Sequence, residues 1–206
     1  MSSKQDLTVQ LHDRIKLRGR AFIYKWNAEY IKTFDDYLKV RPLLEEDHKL
    51  AVKILKARGV LLQVSRATHP WTLFGRILPI PRMFWPAENL ITTVGKQKVC
   101  DYLVNSAPSG FTHMGIGTGT NAPAVGDTAL QTQTDRLAVN DKRRVGTDAK
   151  FDTFYPSTSP AVGGVIAEMG VFDAGAGGNM YARSLVSPTQ AFTTGTTLTT
   201  AYTSGF

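Results

Sequence analysis

From residue 111 onward, every apolar run is cut within a few residues by Gly, Thr, Ser, Pro or Asn. Punctuation this dense leaves no room for long helices and favours short strands joined by turns. The spacing predicts strands over 112–117, 136–139, 150–155, 165–172, 180–186 and 197–202. Several short strands at such intervals make an all-β C-terminal domain, an antiparallel β-sandwich or jelly-roll-like arrangement. Its Gly- and Thr-rich strands suit close strand packing between copies.

Residues 1–87 have a different chemistry. They hold 16 Lys and Arg against 8 Asp and Glu and only three glycines, whereas 88–206 hold 8 against 9 and the other 15 glycines. The whole chain carries a formal +7. The contrast divides it into an α+β basic anchoring region (1–65), an arm rich in Pro and aromatic residues (66–88) and the β-module (89–206). No apolar stretch approaches the roughly 20 residues of a membrane span. The first residues lack the apolar core of a secretory signal, so the expectation is a protein folded in cytoplasm, with no membrane contact.

Within the basic region, Leu7, Val9 and Leu11 alternate with polar residues as in a half-buried strand. Residues 20–26 (RAFIYKW) form a second strand candidate. Arg14, Lys16, Arg18 and Arg20 occupy every second position between them and share one face if the backbone is extended. That face is either solvated or a stripe that meets an acidic partner. Tyr30, Ile31, Phe34, Tyr37 and Leu38 predict a helix over 27–40. A second helix begins near Pro42, with Glu45, Glu46 and Asp47 at its positive end and Lys53, Lys56 and Arg58 at its negative end. Leu43, Leu50 and Ile54 form its apolar face, with Leu44, Ala51 and Leu55 as further candidates. Gly59 ends it, and 60–64 form a strand.

Pro70, Pro79, Pro81 and Pro86 forbid a long helix or a central strand in the arm. Trp71, Phe74, Phe84 and Trp85 make it too apolar for a free linker. Packing of those aromatics on the same chain or on a neighbouring subunit accounts for both properties, and the neighbour is the favoured of the two. A short helix follows over 93–105. Cys100, the single cysteine, excludes an intrachain disulfide and is expected to be a small buried hydrophobe.

Catalytic and ligand motifs are weak. Gly115-Ile116-Gly117-Thr118-Gly119 is followed by Thr120-Asn121-Ala122-Pro123 rather than by a helix start, so it is a strand end entering a turn, not a phosphate loop. His12, His48, His69 and His113 have no metal-ligand spacing. Asp127, Asp135, Asp141, Asp148, Glu168 and Asp173 are scattered singly. Lys142-Arg143-Arg144 is expected at a solvated hairpin end, with nucleic-acid contact as the alternative. Catalytic residues, metal ligands and cofactors are not expected.

Four stretches together resemble a recurring module of tailed-phage virion proteins of the tail-fibre, head-fibre, collar or decoration type. They are Glu88-Asn89-Leu90-Ile91-Thr92-Thr93-Val94-Gly95; Met114 through Pro123 with Gly126-Asp127-Thr128-Ala129-Leu130 and on to Arg136; Ile166-Ala167-Glu168-Met169-Gly170-Val171-Phe172-Asp173; and Met180-Tyr181-Ala182-Arg183. The resemblance covers 88–206. It implies a non-enzymatic structural protein of the virion and a homo-oligomer among other virion proteins of capsid, neck or tail. Anchoring would run through Arg14, Lys16, Arg18 and Arg20 and through Trp71, Phe74, Phe84 and Trp85. Two alternatives stand beside it: recognition of a host surface glycan by loops 121–127 and 173–179, and nucleic-acid binding by the basic region.

Overall fold

The computed structural model describes residues 18–68, 72–73, 76–77, 90–103 and 110–205. The described chain is mostly β, a curled antiparallel sheet carrying three small helices. In chain order the elements are β1 (Arg18–Asn27), α1 (Phe34–Glu46), α2 (His48–Ala57), β2 (Leu61–Thr68), β3 (Thr72–Leu73), β4 (Arg76–Ile77), β5 (Leu90–Ile91), α3 (Thr93–Leu103), β6 (His113–Gly117), β7 (Gln133–Ala138), β8 (Asp141–Val145), β9 (Asp148–Tyr155), β10 (Val165–Phe172), β11 (Met180–Ala191) and β12 (Thr196–Gly205). Strand order is β7-β6-β10-β11-β2-β1-β12-β9-β8, with β5 added on β11 and β3–β4 a separate pair. β1 and β2, from the basic part of the sequence, lie in mid-sheet between β11 and β12.

The curl brings the two ends of the sheet together. The Val139 N–H donates to Thr112 O on one side, and the next N–H, of Asn140, donates to Asp152 O on the other. The Tyr155 hydroxyl crosses the interior to Met114 O at 2.7 Å. Strand periodicity then sorts side chains into two cores. Ala21 and Ile23 of β1 join Met114, Ile116, Met169, Tyr181, Leu198 and Tyr202 inside the curl. Tyr24 and Trp26, on the opposite face of β1, pack with Tyr37, Leu44, Ala51 and Leu55 of the helices. Trp26 is fully buried, and burial of one such side chain contributes about 1.5–3 kcal/mol. Its indole N–H donates to Thr199 Oγ1 at 3.0 Å. Thr197, Thr199 and Thr200 of β12 are buried within the chain, so these threonines do not offer a face to another copy.

The helices depart from the sequence expectation. Asn27 closes β1 instead of opening a helix, and its side chain accepts from the Glu29 N–H. α1 starts only after Thr33, where Thr33 and Asp36 form a reciprocal capping box. Asp36 is held down at about 2 by its hydrogen bonds with Lys39, the Lys32 N–H and Thr33. Pro42 lies inside α1 rather than opening the next helix. The break falls at Asp47, whose carboxylate accepts from the Lys49 and Leu50 N–H groups and caps α2. Gly59 follows α2 at φ +67°, as its position predicts. The apolar face is also rotated: Leu44, Ala51 and Leu55 are buried, while Leu43, Leu50 and Ile54 are exposed. Cys100 is exposed, not buried, on α3.

The six strands expected beyond residue 111 are all present, most with longer bounds. β8 is an additional strand. Lys142, Arg143 and Arg144 therefore lie within a ladder paired to β9, not at a hairpin end. Among the described residues, no helix is long and apolar enough to cross a membrane.

Candidate functional site

The glycine-rich stretch is built around a carboxylate. β6 ends at Gly117, which is paired with Glu168 of β10. Glu168 is fully buried. Its Oε1 accepts from the Gly119 N–H at 3.1 Å and the Thr132 N–H at 2.7 Å. Its Oε2 accepts from the Gln131 N–H at 3.1 Å and from Arg183 Nε at 2.8 Å. Arg183 of β11 extends further, with Nη1 on Asp127 Oδ2 at 2.8 Å and Nη2 on Asn121 O at 3.1 Å. Asp127 also accepts from the Ala124 N–H. One carboxylate and one guanidinium thus fasten both ends of loop 118–132.

This arrangement explains the glycines. A Cβ on Gly117 would fall 2.7 Å from Glu168 Oε1, and one on Gly119 would fall 2.6 Å from Gln131 Cβ. Both positions are bare because the backbone must approach the carboxylate closely. The segment before α3 joins the same knot: the Thr92 N–H donates to Tyr181 O at 3.0 Å and the Thr93 N–H to Val125 O at 2.8 Å. The Thr92 hydroxyl donates to Met180 O. Loop 118–132 is a strand end entering a turn, as its sequence predicts.

A second polar cluster joins α1 to β8 and β9. Asp152, almost fully buried, meets Arg143 Nη1 at 2.7 Å and Arg41 Nη1 at 3.4 Å. Both guanidiniums also contact Asp141. Arg143 Nη2 reaches Glu45 at 2.6 Å, and Lys150 reaches the same carboxylate at 3.0 Å. Burial works against the Glu45 charge, but these two cations hold its pKa below the usual carboxylate value. The neighbouring Tyr24 and Tyr37 hydroxyls are pushed well above the ordinary phenol range, first by burial and then by the Asp152 charge. The cluster pins helix to sheet.

Loop 173–179 is held separately. Asp173 accepts from the Asn179 N–H and side-chain amide and lies 3.4 Å from Lys98. Arg136 sits 3.4 Å over the Phe172 ring and donates to Ala174 O and Gly177 O. Loops 118–132 and 173–179 leave opposite ends of the β6–β10 ladder, the first after Gly117 and the second after Phe172. Among the described residues, no three His, Cys, Asp or Glu side chains converge as metal ligands.

Of the residues singled out for partner contact, Arg18 and Arg20 lie in β1, where Arg20 is exposed. Arg14, Lys16, Trp71, Phe74, Phe84 and Trp85 lie outside the described residues, as do Leu7, Val9 and Leu11. The Glu168–Arg183 pair had a usable signal in the sequence: Glu168 is the sole charged residue in the otherwise apolar strand 165–172.

A scan against protein-family models and a search of curated proteins each return no match.

Proposed function

We propose that this chain is a non-enzymatic structural protein of a tailed-phage virion. The carrying observation is the convergence on one knot of four stretches that resemble virion proteins. Thr92 binds the backbone at Met180 and Tyr181, Gly119 approaches Glu168, and Arg183 reaches back to Asp127. Residues far apart in sequence would keep a common pattern if they built one packing unit together, and these do.

Within the curled sheet we infer a sandwich of jelly-roll-like character. It is supported by the interior core, where β6, β10 and β11 face β9 and β12 across Met114, Tyr155 and Tyr202. Anchoring to capsid, neck or tail falls to the basic N-terminal residues Arg14, Lys16, Arg18 and Arg20 and to the aromatic arm. The protein works as one of several copies in the particle.

The test is the copy number per purified particle, by quantitative mass spectrometry against the major capsid protein. Hundreds of copies mean capsid decoration or a repeating tail layer. A few to a few dozen mean a neck, baseplate or fibre part. Absence from particles overturns the proposal.

A further inference from the structure

α2 turns an unusual face outward. Leu50 and Ile54, four residues apart on one stripe, are 53% and 41% exposed, and Leu43 in the last turn of α1 is 50% exposed. The helix has already satisfied its own core through Ala51 and Leu55. Single exposed aliphatics are ordinary, but an adjacent pair on a short helix leaves a patch that water solvates poorly. At about 100° per residue, Lys49, Lys53 and Lys56 gather on an arc of roughly 60° beside that stripe. All three lysines and Arg58 are exposed. Among the described residues none of these four cations forms an ion pair; the nearby Glu45 is committed to Arg143 and Lys150.

We propose that the exposed α2 face, Leu50 and Ile54 flanked by Lys49, Lys53 and Lys56, docks an acidic segment of a different protein that presents aliphatic side chains. The proposal rests on the virion reading only for where that partner is found. Charge selects the occupant. A second copy meeting this face about a two-fold axis would set the same lysines against one another, in a chain already at +7. A nucleic acid would neutralise the lysines but leave Leu50 and Ile54 wet, because bases stack on aromatic rather than aliphatic side chains. A bilayer surface takes up the whole apolar face of a helix, whereas α2 buries Ala51 and Leu55 in its own core and leaves only Leu50 and Ile54 outward. Carboxylates bordering an aliphatic groove or helix satisfy both halves of the face.

The experiment places photoreactive benzoylphenylalanine at position 50, and separately at 54, of the full-length chain in cells that make it. Cross-linked peptides are identified by mass spectrometry. The expected result is one acidic segment of another protein, captured from both positions. Its yield should fall about tenfold or more in Lys49→Glu/Lys53→Glu/Lys56→Glu, since like charges across a contact are strongly disfavoured. The thermal midpoint of that variant, measured alongside, should be unchanged. Cross-links to a second copy, to lipid or to nucleic acid overturn the proposal, as does no cross-link at either position. Proteomics of particles from the same culture separates the two ideas. A charge-dependent partner with no protein in particles sinks the virion reading alone; protein in particles with no cross-link sinks the docking face alone.

Discussion

Arg183 meets Glu168 through Nε at 2.8 Å, in a place from which water is excluded from the carboxylate. Around that contact Gly119, Gln131 and Thr132 each present an N–H to the same carboxylate. A buried ion pair gives little net stability when whole, but breaking one side leaves the other charge stranded.

Glu168→Gln should therefore be costly although it barely changes shape. The amide NH₂ would face backbone donors, and Arg183 would lose its buried counter-charge. The expected loss is about 3 kcal/mol or more in urea unfolding. Arg183→Met should cost a comparable amount, and the double variant should lose less than the two losses combined. A Glu168→Gln midpoint equal to that of the parent would show that the pair does not hold the loop.

Two glycine substitutions in the same loop should separate sharply. Gly117→Ala drives a methyl to within 3.0 Å of both Thr132 O and the Glu168 carboxylate, while a Cβ at Gly126 meets nothing within 4 Å. The first should destabilise by about 1–3 kcal/mol or more, and the second should lie within about 0.5 kcal/mol of the parent. Thermal melts of the two variants side by side check this.

His48 provides a pH dependence. Its ring lies 4.8 Å from Phe22, and its Nε2 is 3.2 Å from the Tyr24 hydroxyl. Burial, and then the Arg66 charge, hold its pKa below the ordinary 6.5. The unfolded chain therefore takes up the proton first as pH falls. The neutral ring's contribution is fully present above 6.5 and is lost between 6.5 and the lower folded value. His48→Phe should flatten that part of the stability curve. His113, shifted in the same direction, is retained in both proteins and cancels. Parallel melting curves for parent and variant between pH 7.5 and 5 would remove His48 from the account.

Deleting residues 1–68 should not leave a soluble β-module. It takes β1 and β2 out of mid-sheet and bares one edge of β11 and one of β12. Unpaired edges of that length template aggregation. The expected outcome is insoluble protein on expression, checked by fractionation. A monodisperse truncated chain would show that the sheet closes without them.

Local pattern made the strands legible. Residues 20–26 alternate between two cores, and Val165 to Phe172 reads as one apolar run. What was hidden depends on distance along the chain. Nothing near Arg18 announces its ladder partner Gly205, and nothing near Glu168 announces Arg183 across a shifted register. β8 carries no local strand signal, because Asp141, Lys142, Arg143 and Arg144 are poor strand formers. Their pairing is secured by Asp152 and Glu45 from other elements. The phase of the helical stretch 43–57 is ambiguous in sequence, because Leu43, Leu50 and Ile54 form as good a stripe as Leu44, Ala51 and Leu55. Only the neighbouring sheet decides between them. The same ambiguity hides the exposed Leu50 and Ile54 of α2 from a reading of the sequence.

The ladder between β1 and β12 also sets a clock. During synthesis β1 must wait for β12. At roughly 5–20 residues per second this delay is on the order of ten seconds or more. Throughout it, one edge of Phe22, Tyr24 and Trp26 stands open beside a nascent chain that cannot yet cover it. Such a protein is exposed to misfolding on the ribosome rather than afterwards, and its yield in a cell should follow chaperone supply more closely than its finished stability.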